Sequence, residues 1–198
     1  QNLILIDGIR LSDAQSAPLA LPAQCGITYQ YDGETTAAPT GTGGNLTGDG
    51  TSVVGWDAFD AGMGAWTYDW YVDSGAGRTL VEGDVTLNPT YIASLADLDR
   101  MMTHEWGHAL GLAHSNVQSA IMAGPPYTYY NMLTTPQSDD IRGCRCLYGM
   151  PPGMQASYAC SLPSQVDFGS VAVGTQSATQ NVTLTNSGNA PMSVQALP

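Results

Sequence analysis

The stretch MMTHEWGHALGLAHS, residues 101–115, contains every histidine of this 198-residue chain. The histidines are His104, His108 and His114, and a glutamate, Glu105, follows the first of them. On a helix, residues four apart share a face, so His104 and His108 can direct two imidazoles at one metal ion. Gly111 lets the backbone leave helical geometry and brings His114 round as a third ligand. The spacing therefore predicts a three-histidine metal site.

This predicted site has the composition of a catalytic zinc centre. Three neutral imidazoles leave one position of a tetrahedral Zn²⁺ open, which separates catalytic zinc sites from closed structural ones. Zinc lowers the pKa of its water toward 7, and Glu105 can accept the proton as the hydroxide attacks a carbonyl carbon. A lone His-Glu pair on a helix is usually ordinary surface, but five positions with mechanistic meaning coincide here. The predicted chemistry is hydrolysis of an amide bond.

The surrounding pattern predicts a mixture of strands and helices. Apolar residues at three- and four-residue steps predict a helix over 95–112, with Ser94 as its N-cap and Gly111 at its end. A second, shorter helix is predicted over 137–149. Alternating β-prone runs predict strands at 27–31, 53–56 and 79–87.

Together these motifs resemble the metzincin metallopeptidases, and most of all the matrixins in a bacterial form. Ser115 directly follows the third histidine, SAIMAGPPY (119–127) resembles the Met-turn of the family, and DDIRGCRCLYG (139–149) resembles its closing helix. The resemblance implies an α+β catalytic domain with a twisted mixed sheet, a zinc-binding helix, a Met-turn and a C-terminal helix. It is strong over 79–149 and thin before that stretch.

The resemblance also implies roles for individual residues. Glu105 would be the catalytic base, and His104, His108 and His114 the ligands of one catalytic Zn²⁺. Met122 would lie beneath the zinc, and Pro125 to Tyr127 would form the wall of the pocket for the residue after the scissile bond. EGDVTLN (82–88) falls where the family has the edge strand against which an extended substrate pairs.

The sequence departs from the animal matrixins at a second metal position. Those proteins carry a histidine in the edge strand for a structural zinc, whereas the corresponding position here is Thr86 and no histidine remains. A structural zinc is therefore not expected. Calcium could bind in Asp/Gly-rich loops such as TGDGTS (47–52), although no loop matches a full calcium-ligand pattern.

The composition of the sequence changes after the second predicted helix. Prolines and a glycine make 150–164 a predicted linker, which places a peptidase domain at 1–160. Residues 161–198 are predicted to alternate strands and turns, and they resemble the start of an immunoglobulin-like β-sandwich of the ASH-related type. A complete sandwich of that kind needs about 100 residues.

Four cysteines, an even number with wide spacing, predict two disulfides and an oxidising compartment. Cys144 and Cys146 lie two apart in a predicted helix, where side chains diverge, so each should pair with Cys25 or Cys160. Which pairs with which stays open. PAQCG (22–26) faintly resembles the cysteine switch of matrixin prodomains, but the even count favours a disulfide for Cys25. We therefore expect a secreted or extracellular protein.

Charge and hydropathy exclude several classes of partner. The net charge is −12, and acidic residues outnumber basic ones 17 to 5, which argues against nucleic acid and anionic membranes. No segment approaches the roughly 20 apolar residues of a membrane helix, so membrane insertion is not expected. The sequence predicts a monomeric zinc endopeptidase acting on protein or peptide substrates. The alternative is a non-catalytic adhesion or scaffold protein on a peptidase fold, against which an intact Glu105 weighs.

Overall fold

A computed structural model describes residues 20–27, 33, 35–40, 47–58, 62–73, 78–125, 133–162 and 166–194. Within this part of the chain five strands and two α-helices occur in the order β1 (Val54–Trp56), β2 (Ala65–Asp73), β3 (Arg78–Leu87), α1 (Leu95–Ala109), α2 (Ser138–Tyr148), β4 (Ala159–Leu162) and β5 (Thr183–Asn186). Single 3₁₀ turns occur at Pro22–Gln24 and Pro89–Tyr91. The predicted strand at 27–31 lies outside the described residues from position 28 onward.

The first three strands form a mixed sheet in the order β1-β3-β2. β3 runs parallel to β1 and antiparallel to β2, with a bulge between Trp70 and Tyr71. The predicted strands at 53–56 and 79–87 are confirmed. Together with the two helices, this mixed sheet gives an α+β arrangement.

The prediction that 82–88 forms the edge strand is wrong, because β3 is hydrogen-bonded on both sides. AWTYDWYVD (65–73) is a strand that was not predicted; its aromatic and β-branched residues form β2 and pair along the whole of β3. Within the described sheet β2 is the outer strand on that side. β1 is the outer strand on the other side.

Helix α1 packs across one face of this sheet. Gly83 in β3 faces the end of the helix closely, and a Cβ atom there would be 2.8 Å from Cβ of Ala109. The buried residues of the helix and sheet form one core with the N-terminal turn and α2: Leu21, Cys25, Val85, Leu87, Ile92, Leu98, Met101, Met102, Trp106, Ala109, Leu110 and Cys144.

Both ends of α1 follow from local chemistry. The Ser94 hydroxyl accepts a hydrogen bond from the Asp97 N–H at 3.1 Å, as the predicted N-cap should. The helix ends at Ala109 rather than at 112, because Gly111 adopts a φ of +86°. The Gly111 N–H then donates to His108 O (2.6 Å) and the Leu112 N–H to Gly107 O (2.9 Å). This pair of bonds is a Schellman motif, which reverses the chain toward His114.

Helix α2 is confirmed, and disulfides attach two other segments to it. Cys25 pairs with Cys144, and Cys146 pairs with Cys160. The Cys25 sulfur is therefore bonded within the protein, and the structure supports the disulfide over the cysteine-switch interpretation. Arg145 adds a hydrogen bond of 2.8 Å from its Nε to the carbonyl of Gln24.

The C-terminal part differs from its prediction. β4 and β5 form a two-stranded antiparallel sheet, and β4 occupies residues that were predicted to be linker. Within the stretch predicted to alternate strands and turns, residues 166–182 contain no strand, whereas TLTN (183–186) is a strand as expected. Among the described helices none is both long and apolar enough to cross a membrane.

The two disulfides should differ in their contribution to stability. Cys25–Cys144 spans 119 residues and Cys146–Cys160 spans 14, so the longer link restricts the unfolded chain more. We expect Cys25→Ala/Cys144→Ala to lower the free energy of unfolding by about 2 kcal/mol more than Cys146→Ala/Cys160→Ala. Urea titrations of both double variants under non-reducing conditions measure the difference. An equal loss in both would contradict the expectation.

Candidate metal centre and active-site cleft

The three predicted ligand histidines come together in the folded chain. Each offers one ring nitrogen, and these nitrogens all lie within 4.8 Å of one another. Nε2 of His104 and Nε2 of His114 are 3.3 Å apart. Two ligands of a tetrahedral zinc with bonds of about 2.0–2.1 Å are separated by about 3.3 Å, so this donor set fits the ion.

Main-chain carbonyls orient two of the imidazoles. Nδ1–H of His104 donates to Ile121 O at 2.6 Å, and Nδ1–H of His108 donates to Leu112 O at 2.7 Å. With the proton on Nδ1, the lone pair of Nε2 is free to bind a metal, which is the usual arrangement of ligating histidines. Burial lowers the pKa of His104 and of His108, so both rings favour the neutral form.

Glu105 lies beside the three rings and faces the cleft. Its carboxylate accepts a hydrogen bond of 2.7 Å from the hydroxyl of Thr67 on β2. Burial raises the pKa of Glu105, whereas the Thr67 bond and the nearby histidines His108 and His114 oppose that shift. The carboxylate is thus held by one neutral donor next to the candidate metal position.

Met122 lies against the helix that carries two of the histidines. The Ser115 N–H donates to Met122 O at 2.7 Å, and the Gly124 N–H donates to Ser115 O at 3.0 Å, so the turn folds back beside His114. Met122 is fully buried, and any side chain at Gly107 would collide with its sulfur. The methionine therefore packs on the helical turn between His104 and His108.

A buried carboxylate, Asp140 at the start of α2, holds this turn in place. It accepts hydrogen bonds from the main-chain N–H groups of Ile121 (2.9 Å), Met122 (2.9 Å) and Gln137 (2.6 Å). The carbonyl of Ile121 is the acceptor for His104, so Asp140 reaches the candidate ligand through one peptide unit.

A cavity of about 350 Å³ runs between β2 and α1 and includes the histidines and Glu105 in its lining. Pro125 lines it as predicted, whereas Tyr127 lies outside the described residues. Asp69 of β2 adds a second carboxylate to the wall. Burial raises the pKa of Asp69 to about 6; a 3.4 Å hydrogen bond from the Tyr71 hydroxyl opposes the shift, and the neighbouring Glu105 adds to it.

Sequence reasoning missed Thr67, Asp69 and Asp140. Thr67 and Asp69 lie two residues apart and therefore share one face of β2. The aromatic and β-branched residues around them were an available signal for that strand. Asp140 follows Asp139 in the first turn of α2, where acidic residues are common. Its contacts with residues 121 and 122 have no signal in the local sequence.

Comparisons with known proteins agree with the geometry of the three-histidine site. A model of the family described as Matrixin matches residues 35–149, so the likeness begins well before residue 79, the start of the strong motif resemblance. Metalloendoproteinase 1 of Glycine max is 44% identical over 75 residues, covering 37% of this chain and 23% of the relative. Stromelysin-3 of Mus musculus is 43% identical over 70 residues, covering 35% and 14% respectively.

A third relative, macrophage metalloelastase of Oryctolagus cuniculus, is 57% identical over 49 residues, covering 24% of this chain and 10% of the relative. The chain thus spans less than a quarter of the length of each of these curated relatives.

Removing the Asp140 carboxylate should loosen the turn behind the histidines. In Asp140→Ala three N–H groups lose their acceptor, so we expect the free energy of unfolding to fall by about 3 kcal/mol or more. We also expect zinc to bind roughly tenfold more weakly, as when a residue that supports a ligand is lost. Urea unfolding and competition with a zinc chelator measure the two effects.

Asp139→Ala is the matched control, because the neighbouring Asp139 accepts only the Ser115 hydroxyl bond, at 2.6 Å, among the contacts described. Wild-type stability and zinc affinity in Asp140→Ala would show that the turn does not depend on this carboxylate.

Proposed function

Because the chain belongs to the matrixin family, we propose that it is a zinc-dependent endopeptidase that hydrolyses peptide bonds in proteins or peptides. The observation that carries the proposal is the convergence of His104, His108 and His114 next to the Glu105 carboxylate in an open cleft. The same arrangement disfavours the scaffold alternative, which has no use for a carboxylate beside three metal-binding rings.

In this proposal the three histidines hold one zinc ion through their Nε2 atoms. Zinc supplies Lewis-acid chemistry, acidifying a water and polarising the substrate carbonyl. The carbonyls of Ile121 and Leu112 hold Nδ1 of His104 and of His108, which would leave the Nε2 atoms of these rings to hold the ion. Glu105 accepts a proton from the attacking water and delivers it to the departing amine, the usual double role of such a base.

The sheet and the Met-turn supply the remaining parts of the proposed site. An extended substrate would add to the outer edge of β2, where main-chain hydrogen bonds can align it. Met122 would support the metal-binding turn from below, and Pro125, with Tyr127, would bound the pocket for the residue after the scissile bond. The support for Met122 is its packing against Gly107, and for Pro125 its place in the cavity lining.

Several wider assignments stay predictions. Two disulfides support an oxidising, extracellular location. The bacterial origin, the monomeric state, the calcium site and the immunoglobulin-like nature of 161–198 rest on the sequence patterns alone. The division into 1–160 and 161–198 is likewise a proposal, and strand β4 crosses that boundary.

Replacing the proposed base should separate metal binding from catalysis. Glu105→Gln keeps the side-chain size and an oxygen for the Thr67 hydroxyl but cannot accept a proton. We expect cleavage of an unfolded protein such as reduced casein to fall by about 10²–10⁴-fold, the usual contribution of a general base. The zinc content, measured by atomic absorption, should stay at the wild-type level.

Asp99→Asn is the matched control, because it removes a carboxylate from the same helix outside the cavity lining. Wild-type cleavage should also stop on treatment with a zinc chelator and return when zinc is restored. Cleavage that survives the chelator, or that is undiminished in Glu105→Gln, would refute the proposal.

A further inference from the structure

The Thr67 hydroxyl makes a contact with Glu105 that the proposed mechanism does not use. Its Oγ1 lies 2.7 Å from Oε2 of the carboxylate and 3.0 Å from the main-chain carbonyl oxygen of the same residue. The hydroxyl has one proton, and the shorter, charged acceptor is the stronger partner. One oxygen of the carboxylate is therefore held, and Oε1 is left for other partners.

Thr67 is itself rigidly placed. It belongs to β2, is paired opposite Val85 of β3, and Val85 is completely buried in the core under α1. A β-branched side chain has few accessible χ1 rotamers in a strand. The hydroxyl therefore presents a fixed donor to a glutamate that otherwise has three rotatable side-chain bonds.

The carboxylate needs this donor more than the main-chain carbonyl does. The carbonyl of Glu105 lies inside α1, where the helix itself supplies an N–H for each interior carbonyl. The carboxylate lines the cleft, and the Asp69 carboxylate, which carries the same sign of charge, lines it too. A purely structural role, in which the hydroxyl only satisfies the helix, explains the 3.0 Å contact but not the shorter one.

We propose that Thr67 is a positioning residue for Glu105: its hydroxyl fixes Oε2 so that Oε1 faces the cleft. The inference rests on the proposed peptidase function, because a fixed orientation matters only if this carboxylate moves a proton. Orientation of a catalytic group affects the chemical step more than the binding of substrate or metal. The contact between Thr67 and Glu105 also links the proposed base to β2, the strand whose edge would receive the substrate.

The kinetic test compares two substitutions at this position. Thr67→Val keeps the shape but loses the donor, and Thr67→Ser keeps the donor but loses the methyl group. We expect kcat of Thr67→Val on a fluorogenic peptide to fall by about tenfold or more, the usual effect of losing a hydrogen bond to a charged group. KM and zinc affinity should change by less than about threefold, and Thr67→Ser should keep most of the wild-type kcat.

Thr79→Val is the matched control, because Thr79 is an exposed threonine on the neighbouring strand β3. An unchanged kcat in Thr67→Val would overturn the inference. So would an equal loss of kcat in Thr67→Ser, since the methyl group and its packing would then be responsible. A change confined to KM or to zinc affinity would also count against it.

A readout without turnover separates this inference from the proposed function. The chain contains three glutamates, Glu34, Glu82 and Glu105, so protein labelled with ¹³C at the glutamate carboxyl carbon should give three resonances. Glu105→Gln assigns the Glu105 signal by removing it. Thr67→Val should move only that signal, and Thr67→Ser should leave it near its wild-type position.

Failure of the peptidase proposal and failure of the positioning role of Thr67 give different results. If wild-type protein loaded with zinc cleaves nothing but the Glu105 signal responds as described, the contact stands and the peptidase proposal fails. If cleavage is normal and neither kcat nor the signal responds to Thr67→Val, the positioning role fails and the peptidase proposal stands.

Discussion

The left-handed backbone conformation of Gly111 is the constraint on which the candidate site depends. With a φ of +86° it stops α1, whose last residue is Ala109, and turns the chain back over the helix. The reversal brings the carbonyl of Leu112 to Nδ1 of His108 and carries His114 to within 3.3 Å of Nε2 of His104. A side chain with a Cβ rarely adopts this conformation, so the third ring depends on a glycine three positions before it.

A second layer of contacts makes this arrangement rigid. Asp140 takes three main-chain N–H groups and so joins the start of α2 to the Met-turn, which in turn supports His104. Cys144, one turn further along α2, is covalently attached to Cys25 in the N-terminal turn. His104 is thus supported from a distant part of the chain, whereas the carbonyl that orients His108 belongs to the adjacent reversal at Leu112. Such preorganisation is what a catalytic centre requires of its supporting shell.

The parts of the structure that the sequence predicts are those determined by local spacing. The i, i+4 histidines, the Ser94 cap, Gly111 and the second helix are all encoded within a few residues of where they act. The disulfide partners of Cys144 and Cys146 stayed open, because the distance across the fold decides between Cys25 and Cys160. Thr67 meets Glu105 across 38 residues, and Asp140 meets Met122 across 18, so neither contact leaves a periodic signal. The edge strand was misplaced for the same reason, since pairing order in a sheet is a non-local property.

The link between Cys25 and Cys144 closes a covalent ring around everything from the sheet to the Met-turn. An enzyme of the proposed kind would be exposed to autolysis, and its loops would be the first places to be nicked. A single cut anywhere inside this ring opens the backbone but releases no fragment, because the two pieces stay joined through sulfur. The core contacts between β3 and α1 can then keep the pieces in register when the cut falls in a loop outside residues 101–115.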